Sequence, residues 1–447
     1  MPKRRPDQVI GAPGAGQAPW LLAVVFSHPL LLWPLIEGVP LDPTRDFMSG
    51  AVDQPSGPLN MLFFPPMAAV AVWLYLRRSS GGRDSGLGLG IMLVATYLLW
   101  AGLSTLWSVE PAITLRRVVL QTFIILSVAL PALMAHSARA GVTALFWVLV
   151  VAAGLNAVAI AILPPTALGH AGIYPHKNEL GVVAALMVLL GLWGLVAGAW
   201  KERLAGLPLM ALGITFLIVS KSKTSLGLAL LVPFMAAVVL GAARLLRWPP
   251  LVSVPAMLGG VVLVYFVGVW SWVWDFHAVA MALFGDPTLT MRTDIWSFAY
   301  EMAGQRPFTG YGYEVFWGAG PGSPNQIRGE GFVRKVVHAH NGYLDTTVHL
   351  GLIGLALVAT MVLYALQQAG RRVMSEPGAA FAHLAILIFL VLYNLLEVTW
   401  FRSFSITSMV LVMILAQPQL ASGRRLAMVR RPRRTFRRYR WLPASAG

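Results

Sequence analysis

The sequence predicts an all-α polytopic membrane protein of about twelve transmembrane helices with one long, partly helical periplasmic loop. Three observations carry that prediction. Hydrophobic residues make up 57% of the 447 and charged residues only 12%, giving a mean hydropathy of +0.69. A soluble domain of this length would need far more charge to cover its surface. Apolar stretches recur at roughly 20 residues, the length that crosses a bilayer as a helix. Lys and Arg then crowd onto alternate connections between those stretches. The chain has no cysteine, so disulfides and thiolate metal sites are excluded. Its 16 tryptophans and 11 tyrosines suit interfacial belts.

Residues 1–18 carry Lys3, Arg4 and Arg5 before a Gly- and Pro-containing run. They lack the apolar core and small-residue cleavage site of a signal peptide and read as a retained cytoplasmic tail. Transmembrane helices one to nine fall in 19–274, near 20–36, 59–76, 86–107, 117–135, 142–163, 179–199, 207–220, 225–243 and 250–274. A large periplasmic loop follows at 275–342. Helices ten to twelve fall in 343–418, near 343–368, 378–398 and 403–418, and 419–447 is a basic cytoplasmic tail.

Charge orients this layout. The connections after even-numbered crossings hold Arg77, Arg78, Arg83, Arg139, Lys201, Arg203, Arg244, Arg247, Arg371 and Arg372. With the N-terminal cations and the arginines of Arg424–Arg440, they make up the larger share of the 34 Lys and Arg. The positive-inside rule makes that face cytoplasmic. The net charge of +16 therefore points to anionic lipid rather than nucleic acid. Cations that persist on the opposite face call for a bound anion or for acids beside them. They include Arg116, Arg117, Lys177, Lys221, Lys223, Arg292 and Arg402.

The long connection has helical spacing over Thr290–Gly304, with Ile295, Trp296, Ala299 and Met302 on one face. Pro307 ends that helix, Gly310 and Gly312 turn the chain, and Gly318–Gly331 reads as mobile.

Chemistry concentrates in Arg334–Asp345, which holds His338, His340, Asn341 and Asp345 just ahead of an apolar stretch. A histidine near its unperturbed pKa takes a proton from a hydroxyl at neutral pH. His340 is the candidate base, with His338 as the alternative. Asn341 and Asp345 support them, Asp345 lying about one turn onward to orient the ring. Capping a helix would be the plain structural use of the pair. Metal binding is a rival use, with His176 or His349 as a third ligand. No Asp-x-Asp pair is present to hold magnesium against a diphosphate, and the sequence favours no metal. Other histidines (His28, His136, His170 and His383) lack polar company and read as packed. No Walker A or dinucleotide fingerprint occurs, so no nucleotide cofactor is expected. Arg116, Arg117, Lys177, Lys221 and Lys223 stand where a lipid-linked phosphate head would rest, and Arg292 and Trp296 lie on the loop helix.

These residues resemble the O-antigen ligase and polymerase-like membrane proteins. The family's ligase pattern is His-Asn, nine residues, then Gly-x-x-Gly, met here by His340-Asn341 and Gly351-Leu352-Ile353-Gly354. Its Arg–Trp–Pro-x-x-Gly-x-Gly feature matches Arg292, Trp296 and Pro307 to Gly312. In its Ser-x-Ser-Arg hairpin, Ser220-Lys221-Ser222-Lys223 carries Lys for Arg, which keeps charge but loses bidentate geometry.

The resemblance implies inverting transfer of a glycan from undecaprenyl diphosphate to a lipid A–core hydroxyl, completing lipopolysaccharide. It places the active site at the periplasmic face of the bacterial inner membrane and uses no metal or nucleotide. The alternatives are an O-antigen polymerase, a protein O-oligosaccharyltransferase and, outside enzymes, a flippase for lipid-linked glycan.

Overall fold

The computed structural model describes residues 18–38, 57–77, 88–135, 137–165, 168–270, 281, 292–402 and 404–417. Both expected tails, Arg45, Arg78, Arg83, His136 and the start of the long loop lie outside the described residues.

Helix α1 (Ala18–Ser27) runs on through π turns to Gly38. It is followed by α2 (Pro58–Arg77), α3 (Leu89–Leu103), α4 (Pro111–Met134), α5 (Ala138–Ile162) and α6 (Lys177–Ala197). Next come α7 (Trp200–Val219), α8 (Lys223–Gly241) and α9 (Pro250–Trp270). The loop holds α10 (Arg292–Gln305) and a short α11 (Pro324–Arg328), and α12 (Gly342–Arg372), α13 (Pro377–Tyr393) and α14 (Ile406–Ala416) close the fold. Among the described residues no β-strand forms, and nine helices are long and apolar enough to cross a membrane. The other three predicted spans hold the shorter apolar helices Pro250–Leu263, Pro377–Tyr393 and Ile406–Ala416.

These helices are apolar all round, as lipid solvation requires. Leu76, Leu204 and Phe234 are 74%, 70% and 69% exposed, faces that water would penalise and acyl chains match. Helix α6 lies innermost, with residues from Leu180 to Gly194 buried. It meets α7 backbone to backbone: a β-carbon on Gly191 would lie 2.8 Å from the Gly206 carbonyl, and one on Gly206 2.7 Å from that of Gly191. Small residues permit that close approach where no hydrophobic effect drives association.

Polar contacts gather at the two ends of α6. At its C-terminal end Arg139 meets Glu202 at 3.4 Å and donates to the Ala197 carbonyl, while the Ala138 N–H donates to Glu376 at 3.1 Å. Arg77 lies over Trp73 and Lys201 over Trp200, cation–aromatic pairs of an interfacial kind. At the N-terminal end stand Asn178, Glu397, Arg292 and His340. Twenty-one residues of helix separate the clusters, about 30 Å at 1.5 Å per residue, the thickness of a bilayer core.

The loop has its own small core of Ile295, Ala299, Met302, Phe316, Trp317, Val333 and Val336. Gly318–Gly331 departs from expectation, because it is tied down. The buried Asn325 amide donates to the carbonyls of Val333, Arg334 and Val336 and accepts from the Gly318 N–H. Glu110 accepts the Gly322 N–H at 2.8 Å. A buried amide with all its partners met rigidifies what composition alone reads as loose.

Candidate active site

The site begins with a break in α12. Gly351 adopts φ +69°, ψ −173° in mid-helix, a conformation that L side chains avoid. The break frees backbone groups at membrane depth, where each must find a protein partner. The Gly-x-Gly turn supplies partners: the N–H groups of Tyr311 and Gly312 donate to the carbonyls of Val348 and His349, and the Leu352 N–H donates to the Pro307 carbonyl at 2.7 Å. Trp100 Nε1 donates to the Leu350 carbonyl at 2.9 Å. Gly310 must itself be glycine, at φ +64° with the His349 carbonyl 2.5 Å from any β-carbon. Two motifs that lie 40 residues apart in the sequence are therefore one interlocked structure.

Above the break, Asn341 caps α12, its Oδ1 accepting the N–H groups of Tyr343 and Leu344 at 3.0 Å. His340 precedes it at φ +50°. Trp296 Nε1 donates to the Ala339 carbonyl at 2.9 Å, pinning the strand of chain between the two histidines from α10. Asp345 Oδ1 accepts the Ala339 N–H at 2.9 Å and Trp317 Nε1 at 2.8 Å, and its Oδ2 lies 3.4 Å from His349 Nδ1.

Asp345 thus fixes the backbone around Ala339, and the carboxylate on His340 is Glu397. Its Oε2 is 3.2 Å from His340 Nδ1, and its Oε1 accepts Arg292 at 2.7 Å and Asn178 Nδ2 at 3.0 Å. Burial pushes the Glu397 carboxyl up, but the His340 hydrogen bond and the charges of His340, Arg292 and His176 outweigh it. They hold it below the usual carboxylate range. Glu397 is therefore ionised and can only accept, so the His340 nitrogen that carries a proton toward it is Nδ1, and in the neutral ring the lone pair sits on Nε2. His338 is the reverse. Its Nδ1 accepts the His340 N–H at 3.2 Å, which leaves the proton on Nε2. Burial, His340, Arg402, His176 and Arg292 depress it well below its ordinary value, so it stays neutral. The rings lie 4.1 Å apart, one aiming an acceptor and the other a donor.

The candidate cations separate. Lys177 opens α6 and Lys223 opens α8, and the charges of Glu397, Lys221 and Lys223 all act on Lys177. Lys177 and Arg292 thus act with Glu397, and Lys221 and Lys223 extend the positive charge beside Lys177. Arg117 stands apart, donating to the Glu314 carbonyl and lining a cavity with Arg402, His338 and Asp345. Arg116 is exposed on α4.

Ligand atoms of His338, His340 and Glu397 lie within 4.8 Å of one another, a spacing that could hold a metal ion. A guanidinium already on the same carboxylate opposes a dication there. His28 and His383 are buried with neither ring nitrogen hydrogen-bonded among the described residues, as expected of packed histidines. His170 instead has both nitrogens engaged, with the Leu163 carbonyl and the Gly172 N–H.

Glu397 escaped the sequence reading, as did Asn178. The available signal was an acid at the end of an apolar run, which costs enough in a membrane to mark function.

Residues 208–359 match the family described as O-antigen ligase. The exopolysaccharide production protein ExoQ of Rhizobium meliloti is 28% identical over 219 residues, 46% of this chain and 48% of that one. A provisionally named polysaccharide ligase of Rickettsia prowazekii is 30% identical over 139 residues, 30% of this chain and 34% of that one. A similarly named protein of Rickettsia bellii is 28% identical over 140 residues. The chain thus spans about half the length of the first relative and about a third of the others. The family stretch includes both lysines of the α7–α8 hairpin, Arg292, both loop histidines and Gly351, and leaves out Arg117, Lys177 and Glu397. Over residues 208–359, where the broken helix and its interlocking loop are built, this chain is similar to the O-antigen ligase family.

Proposed function

We propose that the protein is an inverting, metal-independent glycan ligase of the inner membrane. It transfers a glycan from undecaprenyl diphosphate to a lipid A–core hydroxyl on the periplasmic side. The observation that carries the reading is the Glu397–His340 pair next to Arg292. Glu397 holds His340 with its Nε2 lone pair free to take a proton, the arrangement of an oriented general base.

In the reaction the acceptor hydroxyl oxygen bonds to the anomeric carbon, and its proton passes to His340 Nε2. The bond from the anomeric carbon to the diphosphate oxygen breaks, and the diphosphate leaves with the electron pair. Arg292, Lys177, Lys221 and Lys223 offset the charge that develops on it. His338 donates its Nε2 proton in a hydrogen bond and stays neutral.

The deciding experiment is reconstitution in vesicles with lipid-linked donor and glycolipid acceptor, in excess EDTA. Transfer with inversion is expected. Transfer lost to chelator and restored by a divalent ion would return His338, His340 and Glu397 to metal binding.

A second reading is a polymerase that extends one lipid-linked glycan with another, favoured by the ExoQ similarity, since that protein is named for exopolysaccharide production. Cells lacking the protein separate the two: long polymer on the carrier lipid marks a ligase, single repeat units a polymerase.

Orientation is tested by cysteines at exposed Glu330 and Lys201. Only position 330 should label in intact cells with an impermeant reagent. Labelling of both would overturn the layout.

A further inference from the structure

His338 also lines a cavity whose walls include none of Lys177, Lys221 and Lys223. Tyr97, Arg117, Tyr313, Trp317, His349 and Trp400 are among its walls. Its composition differs from that of the cations beside Glu397 and Lys177. Aromatic rings dominate, and the charges within it come in both signs, with Arg117 and Arg402 beside Asp345 and Glu314.

Two buried donors in these walls go unmet. Trp400 is 6% exposed and its indole N–H has no hydrogen-bond partner among the described residues. Arg117 Nε is likewise buried and without a partner there, although the same guanidinium donates to the Glu314 carbonyl. An unsatisfied buried donor costs about 1–3 kcal/mol, so two on one cavity suggest a ligand that brings acceptor oxygens. Backbone strain gathers here too. Glu314, Phe401 and Phe404 line the cavity at φ +54°, +46° and +46°, and adjacent His340 is at +50°. Left-handed bulky residues persist only where surrounding structure enforces them, most often around ligands.

We infer that this cavity holds the sugar ring of the acceptor that bears the attacking hydroxyl. Flat aromatic walls face the C–H edges of a pyranose, as their negative π faces favour. The Trp400 and Arg117 N–H groups meet its oxygens, and Asp345 offers a carboxylate to its hydroxyls. Balanced charge suits a neutral sugar better than a diphosphate, for which the lysine group is the better seat. His338 lines the cavity beside His340 and can donate to the ring without competing for the proton that His340 takes. This assignment rests on the transferase reading above for the word acceptor, though not for the existence of the pocket.

The test uses the purified full-length protein and lipid A–core glycolipid as probe, without donor. Trp400→Phe keeps an aromatic ring on the side that packs near Gly342 and Tyr343 and removes the indole N–H together with part of the ring volume. Arg117→Lys keeps the charge and removes Nε. Each is expected to weaken glycolipid binding about 3- to 10-fold, the loss of one hydrogen bond, with the melting temperature unchanged. In the transfer assay both cavity variants should raise the KM for acceptor and leave that for donor unchanged.

A raised donor KM with unchanged acceptor KM would overturn the proposal and seat the donor's sugar here. Unchanged binding in both variants would overturn it outright. Glycolipid binding that depends on Trp400 and Arg117 in a protein that transfers nothing would sink the transferase reading and leave the pocket standing.

Discussion

Gly351 and Phe308 meet backbone to backbone: a β-carbon on Gly351 would lie 2.1 Å from both the carbonyl carbon and the oxygen of Phe308. Gly351→Ala therefore suffers twice, from an essentially glycine-only φ/ψ pair costing about 1–3 kcal/mol and from a clash that pushes away the turn satisfying the broken helix. Lower membrane abundance, a lower melting temperature and lost transfer are expected. Gly227→Ala on α8, with nothing within 4 Å of the new carbon, should be neutral or stabilise by up to about 1 kcal/mol. Equal melting of the two variants would mean the break is not structurally required.

The histidines divide by tautomer. His340→Ala should reduce turnover about 10²- to 10⁴-fold, the usual cost of a lost general base, with donor still bound. Glu397→Gln keeps shape but can offer its amide N–H to Nδ1, turning the ring to the wrong tautomer, so kcat should fall while KM holds. His338→Ala removes a donor only and should leave measurable turnover. All are compared at equal abundance. An active His340→Ala beside a dead His338→Ala would move the base to His338.

Arg292 serves both Glu397 and, on this reading, the leaving diphosphate. Arg292→Ala should lower kcat about 10²- to 10³-fold, as loss of an electrostatic stabiliser does. Lysine should restore only part, because a point charge cannot clamp two oxygens. Wild-type kcat in the alanine variant would remove Arg292 from the chemistry.

His338 makes stability sensitive to acid. Its folded pKa lies well below the ordinary 6.5, so below pH 6.5 the unfolded chain binds the extra proton and the native state does not. Its contribution is complete above about pH 6.5 and drains away as pH falls, by up to about 1.4 kcal/mol per unit. Glu397, held below the usual carboxylate range, adds a loss of the same sign in a more acidic window. Between pH 7.5 and 5 the melting temperature of wild type should fall more steeply than that of His338→Gln. Parallel curves would show that His338 protonates in the native state as easily as in the unfolded one.

Much of this was legible in the sequence, for identifiable reasons. Span positions follow from apolar run length, and the Asn341 cap and the turn after Pro307 follow from local rules. His340, Arg292 and Trp296 stood out by their chemistry in an apolar chain, and they do converge. What failed depended on partners far along the chain. Glu397 lies 57 residues from His340, whereas Asp345, the nearer carboxylate, faces His349 one helical turn on. Gly318–Gly331 looked loose because nothing in its composition announces that Asn325 will be buried against three carbonyls. Arg117 looked interchangeable with the lysines until the bundle set it on another wall.

Glu397 comes from the turn between α13 and α14, close to the last helix of the described fold. During synthesis the chain emerges N-terminus first, so both histidines and Arg292 are in place well before their carboxylate. Until that turn arrives, His340 has no group to fix its proton on Nδ1, and Arg292 has no counter-ion. Before that turn arrives, the proposed base and its cation stand without the carboxylate that joins them. On the transferase reading, the turn between α13 and α14 would complete the site, so an intermediate inserted only as far as α12 would be expected not to consume donor.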